Sequence, residues 1–140
     1  MSKYCTSKND ILLLIYQIRR KDIMKWYLSV LKKYAEFSGR ASRREYWMFV
    51  LINILISIGV SIIGNMIKMP TLTSLYSLAV LLPSLAVGVR RLHDIGKSGW
   101  MLLVSLIPLI GIVWLIILMA TSGDEGENEY GMPPVTEPMV

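Results

Sequence analysis

Three long stretches of the chain contain no charged residue. They cover residues 47–67, 69–89 and 100–120, and none of them holds Asp, Glu, Lys, Arg or His. A helix of about 20 residues crosses the roughly 30 Å of hydrocarbon in a bilayer. A domain of this size could not bury three long helices that are apolar on every face. The pattern therefore predicts three transmembrane helices.

The apolar stretches are joined by links of different length. Only Lys68 separates the first two, which predicts a tight antiparallel hairpin. Pro83 lies inside the second stretch and Pro108 inside the third. Each proline leaves a helical carbonyl without its hydrogen bond, so each is expected to bend its helix.

A shorter segment ahead of the spans has apolar residues on one side only. Its apolar positions recur at helical spacing and are Trp26, Tyr27, Val30, Leu31 and Tyr34. Its other side carries Lys25, Ser29, Lys32 and Lys33. This pattern predicts an amphipathic helix among the lipid headgroups. The alternative is a helix that packs on the protein's own loops. The predicted fold is thus all-α, a polytopic membrane protein with three transmembrane helices preceded by an amphipathic interfacial helix.

Charge is distributed unevenly along the chain. Residues 1–46 hold eleven of the fifteen Lys and Arg, whereas residues 122–140 hold five of the ten acids and no base. Lys and Arg mark short cytoplasmic loops, so the amino terminus and the loop at 90–97 are expected in the cytoplasm. An odd number of spans then puts the carboxy terminus in the periplasm or outside the cell. Cations beside apolar spans, without a face of stacking aromatics, argue against nucleic acid as a partner.

Composition divides the chain into three parts. Residues 24–121 form a membrane domain, consistent with a hydrophobic content of 54% and a mean hydropathy of +0.50. Residues 122–140 form an acidic tail that is expected to be loosely ordered. Residues 1–23 are an amino-terminal extension, and a translation start at Met24 would leave them outside the native chain. Cys5 is the single cysteine, so a disulfide within the chain is excluded.

Two basic motifs flank the spans, FSGRASRREYW at 37–47 and RRLHDIGKSGW at 90–100. Ser42 and Glu45 have the spacing of a capping box, which predicts that the first helix begins before the membrane. Guanidinium groups match phosphate oxygens in pairs. The candidates for lipid-headgroup contacts or interfacial ion pairs are Arg40, Arg43, Arg44, Arg90, Arg91, His93, Asp94 and Lys97. The alternative is that these charges only fix the topology.

His93 and Asp94 are the residues of this set that suggest chemistry. A carboxylate can orient an imidazole for acid–base work or for a metal. Adjacent residues on a helix point in different directions, however, and one His with one Asp is a sparse metal sphere. No catalytic residue, metal or cofactor is therefore predicted. A membrane-interface enzyme or a metal site at this pair stays as the alternative.

A polar stripe runs along the first span. Asn53, Ser57, Ser61 and Asn65 recur every four residues and share one helix face. We expect this stripe to pack on the second span, where Ser84 and Gly88 form a small-xxx-small surface. The alternative is a path for a solute through a small oligomeric channel or transporter. The spans lack the ionisable residue that ion-coupled transport uses.

Four separated motifs resemble the DUF805 family of small bacterial inner-membrane proteins. They are Trp26-Tyr-Leu, the motifs at 37–47 and 90–100, and GENEYG at 126–131, and the likeness covers about residues 24–134. The resemblance implies a multi-pass protein of the bacterial cytoplasmic membrane with mostly three or four helices and no established activity. The expected function is a non-enzymatic membrane component. Its expected partners are anionic lipids, other copies of itself or other membrane proteins.

Overall fold

The computed structural model describes Leu12 and residues 23–135. Most of the predicted extension at 1–23 and the last five residues of the tail lie outside the described residues. In the described part the regular elements are all helical, which confirms the all-α prediction. They are α1 over 23–32, α2 over Arg43–Met66, α3 over Thr71–Asp94, a 3₁₀ helix over Gly99–Leu106 and α4 over Ile110–Ala120.

Helices α2 and α3 form an antiparallel hairpin. The Ser42 hydroxyl accepts a hydrogen bond from the Glu45 amide at 3.1 Å, so α2 begins at its predicted cap, before the apolar stretch. Both helices have 24 residues, or about 36 Å, and both are long and apolar enough to cross a membrane. The turn between them is tight because Lys68 adopts a positive φ of 56°. Helix α3 continues through Pro83.

The third apolar stretch is two short helices instead of one span. The chain leaves the 3₁₀ helix at Ile107, which has the extended ψ of 114° that a following proline favours. Leu109 then takes a positive φ of 62°, and α4 runs for only 11 residues. The two arms touch where Gly111 meets the Val104 carbonyl, at a position where a Cβ atom would overlap the oxygen. The three-span prediction is therefore not confirmed.

This helical hairpin, residues 99–120, begins and ends at the same end of the α2–α3 pair. Arg91 near the end of α3 donates from Nε to the Met119 carbonyl at 3.1 Å. The Asp124 amide donates to the Asp94 carbonyl at 2.8 Å. The structure therefore differs from the predicted topology, because the acidic tail lies beside the segment that precedes α2.

Helix α1 packs on the α2–α3 pair. Trp26, Ser29 and Val30 are buried, and the Tyr27 ring stacks on Phe49 with centroids 5.5 Å apart. This is the arrangement that the sequence left as the alternative to an interfacial helix. Positions 26, 29 and 30 share one helix face. The buried face is thus rotated by about one residue from the predicted apolar face, so that it includes Ser29.

Candidate functional site

Five charged side chains are buried where α2 begins and α3 ends. Arg40, Glu45, Arg90, Arg91 and Asp94 are each at most 6% exposed. Removing a charge from water costs several kcal/mol unless it is paired and hydrogen-bonded. Three arginines against two carboxylates leave this charged cluster with one excess positive charge. The partners of each group therefore decide what the cluster does.

Asp94 is shared by two arginines. Its Oδ1 accepts from Arg40 Nε at 2.9 Å and lies 2.9 Å from Arg40 Nη2, while its Oδ2 accepts from Arg91 Nη1. The same residue's carbonyl oxygen accepts from the Asp124 amide. Gly123 passes so close that a Cβ atom there would overlap the Asp94 carboxylate. One carboxylate thus joins the segment before α2, the end of α3 and the tail.

The remaining donors of these two arginines reach backbone carbonyls. Arg40 Nη1 donates to the Gly126 carbonyl at 2.6 Å and to the Gly131 carbonyl at 3.3 Å. Arg91 binds the last carbonyls of α4 and its C-cap, at Met119 and Thr121. Carbonyls at a helix end lack helical partners, so these guanidinium groups satisfy them. The arginines therefore hold α4 and the tail against α3.

Arg90 is partnered less completely. Its Nη1 donates to Glu45 Oε1 at 3.0 Å, but its Nε and Nη2 have no partner among the described residues. A buried donor without a partner costs about 1–3 kcal/mol. The neighbouring buried side chains, Ala41, Phe49 and Val87, are apolar. The Arg90–Glu45 pair joins α2 and α3 without reaching the tail.

His93 and Asp94 point to different partners. His93 Nδ1 lies 3.1 Å from the Gly39 carbonyl oxygen, and its ring stacks on Tyr130 with centroids 3.9 Å apart. Its carbonyl accepts from Asn128 Nδ2 at 2.9 Å. Asp94 is engaged by the arginines, so the two residues do not form an acid–base pair. Within residues 23–135, no three His, Cys, Asp or Glu side chains group to hold a metal.

Three predicted cations at this end stay on the surface. Arg43, Arg44 and Lys97 are exposed, and none forms an ion pair with a carboxylate of the described residues. Arg43 Nη1 makes one long contact, 3.4 Å, to the Ala120 carbonyl. The eight candidates in the two basic motifs are therefore divided between buried partners and free surface charges.

The polar stripe of α2 is divided as well. Asn53 Oδ1 accepts from the Tyr76 hydroxyl at 2.6 Å, which joins α2 to α3. Ser57 and Ser84 line the same groove as Asn53, with a volume of about 360 Å³. Ser61 is half-buried and Asn65 is exposed. Gly88 faces the 3₁₀ helix, since a Cβ atom there would lie 3.3 Å from a Leu102 methyl.

Two contributors to the charged cluster went unrecognised in the sequence. Glu45 had been assigned only to the helix cap, although it is the single acid between residues 37 and 93 and sits beside several arginines. That isolation is a usable signal, because a lone carboxylate next to a span needs a partner. The carbonyls of Gly126 and Gly131 gave no such signal, because backbone acceptors exist at every residue.

These features define a class: a small, all-helical membrane protein whose apolar helices are tied together at one end by buried ion pairs. The chain belongs to the DUF805 family, described as a protein of unknown function, whose model matches residues 34–132. The match includes the whole charged cluster. The family resemblance carried by the motifs is thereby confirmed.

The relatives found are bacterial membrane proteins. The chain is 47% identical to the inner membrane protein YhaI of Escherichia coli K12 over 113 residues, which cover 79% of this chain and 96% of that protein. It is 43% identical to the inner membrane protein YhaH over 121 residues, which cover 82% and 100%. The uncharacterized protein YiiR is 30% identical over 135 residues, which cover 78% and 88%. No solved structure matches the chain.

Proposed function

We propose that the protein is a multi-pass inner-membrane protein with two crossing helices, α2 and α3, and a re-entrant hairpin at residues 99–120. The segment before α2, the loop after α3 and the tail then all face the cytoplasm. Arg43, Arg44 and Lys97 lie at this end, whereas Lys68 is the single cation in the link at the other. That distribution agrees with the enrichment of Lys and Arg in cytoplasmic loops.

The length and backbone of the hairpin support a re-entrant position. Helix α4 is about 16 Å long, roughly half the thickness of the hydrocarbon core. Backbone amides are costly in lipid unless they are hydrogen-bonded. In the turn, the amides of Ile107, Ile110 and Gly111 donate to carbonyls nearby, and Pro108 has no amide. The exposed turn thus presents few unpaired donors to lipid.

The function that this geometry supports best is a non-enzymatic membrane component that binds anionic lipid headgroups at its cytoplasmic end. One observation carries the proposal: the arginines of the charged cluster are used inside the protein, while Arg43, Arg44 and Lys97 stay exposed without an acidic partner in the described part. Exposed cations at this level attract the negative leaflet surface. The lipid contacts are thereby assigned to these three residues and not to Arg40, Arg90 or Arg91.

A variant with Arg43→Gln, Arg44→Gln and Lys97→Gln tests the proposal. Each cation near an anionic surface contributes about 1 kcal/mol, so the preference for phosphatidylglycerol over phosphatidylcholine should fall at least about tenfold. Native mass spectrometry of the purified full chain with each lipid measures that preference. Lys68→Gln removes one exposed cation at the other end and should leave it unchanged. An unaltered preference in a folded triple variant would contradict the proposal.

A further inference from the structure

A second groove lies at the cytoplasmic end, between α3 and the 3₁₀ helix. Its volume is about 390 Å³, and Leu85, Val89 and Leu103 form much of its apolar lining. Trp100, His93 and Tyr130 also line it. The described residues that line it include no Asp or Glu. Nothing in the charged cluster or in the headgroup contacts proposed above uses this groove.

The groove has rigid walls. Gly99 sits so close to Val89 that a Cβ atom there would lie 2.7 Å from a valine methyl, and Gly88 is in close contact with Leu102. The 3₁₀ helix is therefore fixed tightly to α3. Tyr130 is held over the groove by its stacking on His93 and by the bond from Asn128 to the His93 carbonyl. The same contacts that pin the tail thus form one wall.

The groove changes from apolar to polar along its length. Leu85, Val89 and His93 succeed one another every fourth residue, which places them on one face of α3 over about 12 Å. The apolar part lies toward the middle of α3, and the polar part lies at the end where the cations are. Trp100, at 79% exposed, stands at the mouth. Trp is enriched at the membrane interface, so this position fits the headgroup level of a bilayer.

The polar end offers donors to a phosphate. The Ser98 hydroxyl accepts from the Trp100 amide at 3.4 Å, which leaves its own proton free to donate. Lys97 is exposed beside it. In neutral His93, Nδ1 donates to the Gly39 carbonyl, so Nε2 is an acceptor and the ring serves as a wall. The groove thus combines an apolar channel with one cation and one hydroxyl donor at its outer end.

We propose that this groove seats one acyl chain of a membrane glycerophospholipid, with the lipid phosphate at Lys97 and Ser98. The proposal rests on the lipid-binding function above and adds a defined position for the bound molecule. A membrane lipid has the required chemistry, because its hydrocarbon and its phosphate lie in the order that the groove presents. The apolar part also opens on the face of α3 that meets the bilayer, where acyl chains are the neighbours.

Filling the groove tests the proposal. Leu85→Trp places an indole in the channel, whereas Leu81→Trp makes the same change one turn away on the same helix, at a residue that does not line the groove. Native mass spectrometry of the purified full chain should show roughly fivefold weaker retention of both phosphatidylglycerol and phosphatidylcholine in Leu85→Trp, because the seated chain loses its packing contacts. Leu81→Trp should retain both lipids as the parent does. Equal retention in the two variants would overturn the seat.

The two lipid proposals give different readings in this assay. Loss of the seat lowers the retention of both lipids by the same factor and leaves their ratio unchanged, whereas loss of the surface cations changes the ratio. Glycerol phosphate, which has the headgroup phosphate without a chain, should not displace the lipid, and displacement would mean that phosphate alone is recognised and would overturn the seat. If Leu85→Trp fails to fold, Leu103→Trp on the opposite wall is compared with Leu106→Trp outside the groove, with the same expected difference.

Discussion

Asp94→Asn is expected to destabilise the protein by about 3–5 kcal/mol, because it leaves Arg40 and Arg91 buried without the carboxylate that they share. The loss should appear first as release of the tail and of the end of α4, which these arginines hold. Thermal unfolding of the purified full chain in detergent, followed by circular dichroism, measures the loss. Proteolysis between residues 121 and 131 should report the release of the tail.

Asp124→Asn is the matched control for this change. The Asp124 side chain is exposed and accepts a hydrogen bond from Asn128, while its binding to Asp94 and Arg40 uses backbone atoms. The substitution should therefore cost less than about 1 kcal/mol. Equal unfolding temperatures for Asp94→Asn and Asp124→Asn would show that the charged cluster does not hold this end together.

Gly111→Ala is expected to disrupt the hairpin at residues 99–120. A Cβ atom at this position would overlap the Val104 carbonyl oxygen, which belongs to the backbone of the facing arm and cannot rotate away. Overpacking of this kind costs typically 1–3 kcal/mol and more where backbone must move, so we expect a loss of about 3 kcal/mol. The same unfolding measurement applies.

Gly59→Ala tests whether any added methyl group in an apolar helix has this effect. Gly59 lies within α2, and a Cβ atom there would meet nothing within 4 Å. Alanine favours a helix over glycine by up to about 1 kcal/mol, so this variant should be as stable as the parent or slightly more stable. A Gly111→Ala variant that unfolds together with Gly59→Ala would mean that the two arms do not pack as described.

Local signals in the sequence predicted much of the first half of the fold. The charge-free stretches at 47–67 and 69–89 correspond to α2 and α3, and Ser42 marks the start of α2. These features depend on neighbouring residues and on hydropathy alone. The third stretch misled because its hydropathy equals that of the others. Pro108 and Gly111 separate a span from a hairpin, through a conformational break and a close backbone approach.

The charged end could not be derived from the sequence, because its contacts join distant segments. Arg40 and Gly131 are 91 residues apart, and a tail rich in Gly and Asp gives the same local pattern whether it is solvated or docked. Helix α1 illustrates a second limit. A membrane interface and an apolar protein surface select the same amphipathic pattern, so the choice between them depends on whether a partner surface is available nearby.

The re-entrant hairpin and the common side for both flanking segments are tested most directly by cysteine accessibility. In a Cys5→Ser background, single cysteines replace Ser38 before α2, Glu125 in the tail and Met66 at the far end of α2, all of which are exposed. A membrane-impermeant maleimide applied to intact spheroplasts should label position 66 and spare positions 38 and 125 until the membrane is permeabilised. Labelling of position 125 from outside, with position 38 protected, would restore three full spans and contradict this account.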